Sequence, residues 1–219
     1  MDGEKSVDEV AKMSIDLLKI IHGTVVKPDS MPDMKAVALD WADFLKDYLP
    51  EAQYQKLHAL VAAVPDDNHM MHGDYHIKNV MVQDGESLLI DMDTLCHGHP
   101  VFELASMFNA YEGFSAIDPE QSRIFLGIDH EVAVELWNRL LRLYLSSAGT
   151  GVIDAAAADA LSEERVREVD EKAQIIGFTR IMRRTIRRNG YNEEEGRAII
   201  EHCRARLCEL IPKYDTLEF

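Results

Sequence analysis

The stretch HMMHGDYHIKNVMVQDGESLLIDMD, residues 69–93, decides how the rest of this chain is read. Its apolar runs, His69 to Met71, Val80 to Val82 and Leu88 to Ile90, have the length of short strands. Gln83-Asp84-Gly85-Glu86 separates the last two and holds the Asp-Gly dipeptide that supplies the positive φ angles of a tight hairpin turn. The pattern predicts a small hairpin over 79–91. Polar groups stand at its ends: His72, Asp74, His76 and Asn79 before it, Asp91 and Asp93 where its return strand finishes. The spacing predicts that Asn79 and Asp91 face one another across the mouth of the ladder. Amide and carboxylate oxygens are hard donors of the kind Mg²⁺ takes together with water and substrate phosphates. Asp74 is then free to act on a hydroxyl.

On either side of this segment the chain reads as helix. Ser6-Val-Asp-Glu9 fits a capping box, and Val10, Met13, Ile15, Leu17, Leu18 and Ile21 follow at helical spacing, predicting a helix to His22. A second runs from Val37 to Leu49, stopped by Pro50, and a third from Glu51 to Val64. Beyond Pro100 the pattern predicts helices over Val101 to Tyr111, a short one opened by Asp118-Pro119, His130 to Ser147, Ser162 to Asn189, and Asn192 to Leu210 with Asn192 as cap. Gly149 to Gly151 reads as a connection and Ala155 to Ala160 as a weak helix. Trp41, Phe44, Tyr48 and the Trp137 to Tyr144 stripe read as core. Arg180, Arg183, Arg184, Arg187 and Arg188 share one helical face, expected to be solvated and to neutralise Glu163, Glu164, Glu168, Asp170 and Glu171.

Composition narrows the partners. The net charge of −16 argues against a phosphate-tracking surface, so no nucleic acid is expected. No apolar run is long enough to span a bilayer, and the first residues carry Asp2, Glu4, Asp8 and Glu9 where a signal peptide needs cations, so no membrane partner and a cytoplasmic location are expected. Cys96, Cys203 and Cys208 form no C-x-x-C and are expected to be reduced, structural thiols. Oligomeric state is not legible.

H-G-D-x-H-x-x-N, a hairpin and then I-D-x-D resembles the catalytic segment of aminoglycoside phosphotransferases, choline kinases and related small-molecule kinases, relatives of the protein-kinase fold. The likeness is close over residues 72–93, and His99 to Ala105 resembles the helix start that follows in that family. It implies a mainly α chain with a small β-hairpin, a protein-kinase-like C-terminal catalytic lobe. Three stretches follow: a helical hairpin region at 1–65, the catalytic loop and metal-binding hairpin at 66–99, and a helical region at 100–219. The resemblance implies transfer of the γ-phosphate of ATP or GTP to a hydroxyl of a small molecule with Mg²⁺. Asp74, with His76 beside it, stands at the catalytic position, and Asn79 and Asp91 stand at the metal ligands. His72, Asp93 and Lys78 are placed as groups that shape the loop or stand behind the ligands, Lys78 facing solvent.

This sequence departs from that pattern in places. Ile77 replaces a proline common in the family, and Glu103-Leu-Ala105 stands where D-L-A is usual. The family's N-terminal β-rich lobe, with its phosphate-covering loop and nucleotide-gripping Lys, has no counterpart before Ser6 to His22, so the chain is expected to be the C-terminal lobe. Two other functions are compatible with the residues: a non-catalytic, pseudokinase-like binding module, and a metallohydrolase using His72, Asp74, His76, Asp91, His97 and His99. His97-Gly98-His99 by itself reads as an exposed turn. Glu112 and Asp118 to Glu120 are acidic positions that suit a cationic acceptor, although the acceptor itself is not legible.

Overall fold

The structure, a computed structural model, describes residues 5–147 and 153–219. The predicted connection at Gly149 to Gly151 lies outside the described residues. Helix α1 (Val7–His22) begins on the predicted capping box, with the Glu9 carboxylate taking the Ser6 N–H at 2.9 Å and the Ser6 hydroxyl taking the Glu9 N–H at 3.3 Å. Helix α2 (Met34–Phe44) stops short of the predicted Leu49. Its exit tightens into i→i−3 bonds, Lys46 N–H to Asp43 and Tyr48 N–H to Leu45, as the chain approaches Pro50, whose ring disfavours helical geometry in the residue before it. Helix α3 (Glu51–Ala62) follows at once.

Four short strands carry the middle of the chain. β1 (Met70–Met71) pairs antiparallel with β4 (Cys96–His97), and between them β2 (Val80–Gln83) and β3 (Glu86–Leu89) form the expected hairpin. Its two turn residues, Asp84 and Gly85, have φ of 52° and 84°, the positive pair of a type I′ turn, which matches the twist of the strands it joins.

The remaining helices are α4 (Val101–Tyr111), α5 (Glu120–Leu126), α6 (His130–Ser146), α7 (Ala155–Asp159), α8 (Glu163–Arg187) and α9 (Glu194–Leu210). Every residue of α4 is buried, because α6 and α8 pack on it, while α1 covers α6 and α9 covers α8. The Trp137 to Tyr144 stripe lies in this core as expected, Trp137 being 2% exposed. Asn192 does not cap α9. It belongs to a 3₁₀ turn after α8, its N–H returning to Asn189, and Glu193 precedes the helix with no side-chain cap. Among the described residues no helix is long and apolar enough to cross a membrane.

Two further expectations hold only in part. Trp41, Phe44 and Tyr48 pack against the core but are half-buried at its edge: Arg180 lies over Trp41 and Arg183 over Phe44, 5.6 and 5.5 Å from the ring centres, and Phe44, Tyr48 and Tyr191 stack in a row. The short α2 exposes one flank to the arginine face of α8, and guanidinium groups settle on ring faces. Those arginines also do not neutralise the acids earlier in α8. Glu163 pairs with Arg142, Glu168 with Arg165 and Lys172, and Glu171 with Lys213. Asp170 accepts from Trp137 Nε1 and Gln174 Nε2, both at 2.9 Å. Arg183 instead reaches Asp40 at 2.7 Å.

Asp170 shares a cavity of about 160 Å³ with Glu112 at the end of α4. Burial first, and then the charge of Asp170, push the Glu112 carboxyl up from 4.5 to about 7. Asp170 is also raised, by burial, against the pull of its two hydrogen bonds. Folded Glu112 therefore holds its proton over a range where the unfolded chain has lost it, so stability is greatest below pH 4.5 for this group and declines as the pH climbs to about 7. Glu112→Gln, which keeps the shape and removes the charge, is expected to raise the urea midpoint at pH 8 and leave it unchanged near pH 3, where the carboxyl is protonated in both folded and unfolded chains. A variant equally shifted at both values would show that folding does not move the Glu112 carboxyl.

Candidate active site

The loop carrying Asp74 is tied to the helical body before any ligand is considered. Glu103, in the first turn of α4 and with no solvent exposure, accepts the His72 N–H at 2.5 Å and the Gly73 N–H at 3.0 Å. His22 Nε2 lies 3.7 Å from the same carboxylate. The carbonyls of the loop are held as well: Thr94 Oγ1 donates to His72 O at 2.7 Å and Ser106 Oγ donates to Gly73 O at 3.0 Å. Arg180 donates to Ser106 Oγ at 3.1 Å. Gly73 has φ of +80°, and a Cβ there would sit 2.4 Å from Thr94 O, so only glycine fits between the two strands. Farther along, Tyr75 donates to Ser14 O on α1 and the Ile77 N–H donates to Tyr111 Oη at 3.0 Å.

His72 shapes the loop, as the sequence led us to expect. Its Nε2 donates to Ile90 O at 3.0 Å and its Nδ1 accepts the Asp74 N–H at 3.3 Å, which fixes one tautomer and links the loop to the end of β3. Asn79, 6% exposed, donates from Nδ2 to Asp74 O at 2.9 Å. Asp74 itself keeps its carboxylate partly open, with Oδ2 3.6 Å from His76 Nε2. The His76 imidazole beside it holds the Asp74 carboxyl below the usual carboxylate range, Arg180 and His72 adding to the effect and burial opposing it. His76 is buried edge-on against Phe125, ring centres 5.0 Å apart. Lys78 is exposed, 5.9 Å from the Phe125 ring centre.

The hairpin brings Asp91 to the loop in a different way from the one expected. Ile90 N–H donates to Asn79 O at 2.9 Å, so Asn79 stands opposite Ile90, and Asp91 lies one residue beyond the ladder. Asp91 has φ 60° and ψ 57°, a left-handed conformation that costs an L-residue roughly 1–2 kcal/mol. Asp91 and the neighbouring Asp93 are exposed and accept no hydrogen bond from another described side chain.

Two hard oxygen donors of the kind a divalent cation takes are left free at this end of the loop. With Nδ2 of Asn79 committed to Asp74 O, its amide oxygen is left without a protein partner, and Asp91 offers an exposed carboxylate. The site does not fit the histidine-rich alternative. Among the described residues no group of three or more His, Cys, Asp and Glu is arranged to hold a metal. Both nitrogens of His72 are engaged, which leaves it none to offer a metal. His97 lies buried in β4, so this stretch is not an exposed turn. Cys96 is buried as expected, its thiol pushed up to about 12, by burial first and then by Glu103.

Several of the residues that build this site carry no local sequence signal. Glu103, Ser106, Thr94, Tyr75 and Arg180 act across chain separations that spacing does not reveal, although the Glu-Leu-Ala at 103–105 marked the helix start. Glu103→Gln places an amide NH₂ against at least one of the two loop N–H donors. The variant is expected to lose about 2–4 kcal/mol in urea denaturation and to speed amide exchange at His72 and Gly73 ahead of the rest of β1. Unchanged exchange at those two amides would mean that Glu103 does not hold the loop.

The phosphotransferase enzyme family model matches residues 9–141, a span that takes in α1, the loop, the hairpin, α4 and most of α6. No curated protein and no solved structure matches the chain. With the matched span covering more than half of the sequence and centred on the loop described above, the chain belongs to the phosphotransferase enzyme family.

Proposed function

We propose that this protein transfers the γ-phosphoryl group of a nucleoside triphosphate, ATP or GTP, to a hydroxyl of a small molecule. The observation that carries the reading is the Asp74 carboxylate, kept ionised and partly open on a loop whose peptide groups are fixed from α4, from Thr94 and from Arg180 of α8. Phosphoryl transfer asks a protein mainly for positioning and charge neutralisation. Asp74 accepts the hydrogen bond of the acceptor hydroxyl and orients its oxygen toward phosphorus. The new O–P bond forms as the bond to the leaving nucleoside diphosphate breaks, and the hydroxyl proton passes to Asp74. A carboxylate of low proton affinity suits this role, because in a loose transition state the proton leaves late.

His76 keeps Asp74 ionised and turned to the acceptor, and Phe125 packs behind His76. Asn79 Oδ1 and the Asp91 carboxylate are the metal ligands in this reading, with Asp93 standing next to Asp91. Mg²⁺, when bound with the nucleotide, supplies neutralisation of the phosphate charge. The left-handed backbone at Asp91 supports the assignment, since it turns that carboxylate out of the ladder at the cost of local strain.

Release of nucleoside diphosphate by the full-length chain, followed with Mg·ATP or Mg·GTP across a set of small hydroxy compounds, tests the proposal. Asp74→Ala and Asp91→Ala are each expected to cut turnover by at least ~10²-fold, as loss of a base or of a charge clamp does. Near-normal turnover in both variants would remove both residues from the chemistry. Nucleotide binding with no transfer to any acceptor would favour a regulatory binding module.

A further inference from the structure

A cavity of about 380 Å³ opens beside the catalytic loop, between the turn after α4, α5, the second half of α8 and the start of α9. Its body is apolar, lined by Phe114, Ile117, Phe125, Ile181 and Ile199. Phe125 also packs on His76, which places this end of the cavity next to Asp74. One wall is α8, on which Arg180, Arg184 and Arg188 follow one another a turn apart. The row starts at the loop, where Arg180 holds Ser106, and runs into the cavity, where Arg184 lies 5.0 Å over Phe114 and Arg188 follows.

Neither Arg184 nor Arg188 has an ion-pair partner among the described residues, in a chain with 39 acidic side chains against 23 basic ones. Like charges a turn apart repel: the proton affinity of Arg184, an exposed side chain, is lowered by partial burial first and then by Arg188 and Arg180, with the Asp74 carboxylate opposing them. Glu193 and Glu195 stand on the opposite rim and are exposed, their charge partly taken up by the positive end of α9. The cavity thus presents apolar walls, two exposed arginines along one side with two glutamates on the opposite rim, and an end at Phe125 from which Asp74 is reached past His76. Helical rise puts Arg184 and Arg188 roughly 6 and 12 Å along α8 from the loop contact at Arg180.

We infer that this cavity receives the phosphoryl acceptor, and that the acceptor is a hydroxy carboxylate. Its hydroxyl lies at Asp74, its carboxylate at Arg184 and Arg188, and an apolar body bridges the roughly 6–12 Å between them. A monoanion suits the site better than a dianionic phosphate because Glu193 and Glu195 face the same space. The hydroxyl end rests on the phosphotransfer reading above, and the anionic end rests on the cavity alone. This choice reverses the cationic acceptor that the acidic positions of the sequence suggested. Glu112, one of those positions, lies in the separate cavity with Asp170.

Calorimetric titration of the full-length protein without nucleotide tests the anionic end, using ω-hydroxyoctanoate, octanediol and amino-octanol as matched probes. The hydroxy acid is expected to bind about tenfold tighter than either of the others, the gain of a charge-assisted contact. Arg184→Gln with Arg188→Gln should abolish that preference, and Arg184→Lys with Arg188→Lys should retain it. Should the glutamine pair fail to fold, Ile117→Glu adds an anion at a position already 40% exposed, and is expected to weaken acid binding and strengthen amine binding. Equal or tighter binding of amino-octanol, or an acid preference indifferent to these substitutions, would overturn the inference. Addition of Mg·ATP separates the two proposals: acid-selective binding without transfer upholds the anionic site and rejects phosphotransfer, whereas transfer to amino-octanol in preference to the acid overturns the anionic acceptor.

Discussion

The Glu103 carboxylate, shut off from solvent at the start of α4, accepts the N–H groups of both His72 and Gly73, and the geometry of the Asp74 loop follows from that arrangement. A buried carboxylate costs several kcal/mol unless it is well supplied with donors. Two peptide N–H groups supply it, and His22 stands 3.7 Å away. In return the loop cannot slide along α4. Gly73 is pressed against Thr94 O, Ser106 fixes the Gly73 carbonyl, and Asp74 emerges at one place with its carboxylate open. Replacing the aspartate usual in the family by a glutamate lengthens this strut without removing it.

From that strut the site extends in two directions. Through His72 Nε2 and Ile90 O the loop is coupled to the hairpin, so the position of Asp91 depends on the same histidine that accepts the Asp74 N–H. Through Ser106 and Arg180 it is coupled to α8, whose arginines continue past the loop into the apolar cavity. The aromatic rings of Trp41, Phe44 and Phe114 each support one of these guanidinium groups. A basic face that is solvated at Arg184, Arg187 and Arg188, as its sequence suggested, is at Arg180 the structural link between the Asp74 loop and the helical body.

The local parts of this architecture were legible in the sequence because they depend on neighbours. A capping box needs only Ser6 and Glu9, and the hairpin needs only Asp84-Gly85 between two apolar runs. The start of α4 follows from Pro100 and a mostly apolar stretch interrupted by Glu103, Ser106 and Asn109. Asp74, Asn79 and Asp91 were picked out by residue type and spacing, and the structure sets all three about the loop and hairpin. Errors arose where an end was decided from outside: α2 closed early before Pro50, and α9 started beyond Asn192 because the chain first completes a turn on Asn189.

The sequence by itself determined a mainly helical chain, a hairpin, and a loop with the residue types that phosphoryl transfer uses, since each of these is fixed by contacts within a few residues. The tertiary structure decided which groups hold that loop and what it faces. Glu103 is 31 positions from His72 and Arg180 is 74 from Ser106, and no periodicity connects residues so far apart until helices pack and bring them together. That Asn79 faces Ile90 follows from the two-residue Asp84-Gly85 turn, which pairs Gln83 with Glu86 and Val80 with Leu89, whereas the left-handed backbone of Asp91 just beyond is seen only in the fold. Spacing alone carries no dihedral angle, and for that reason the direction of the Asp91 carboxylate is a property of the fold.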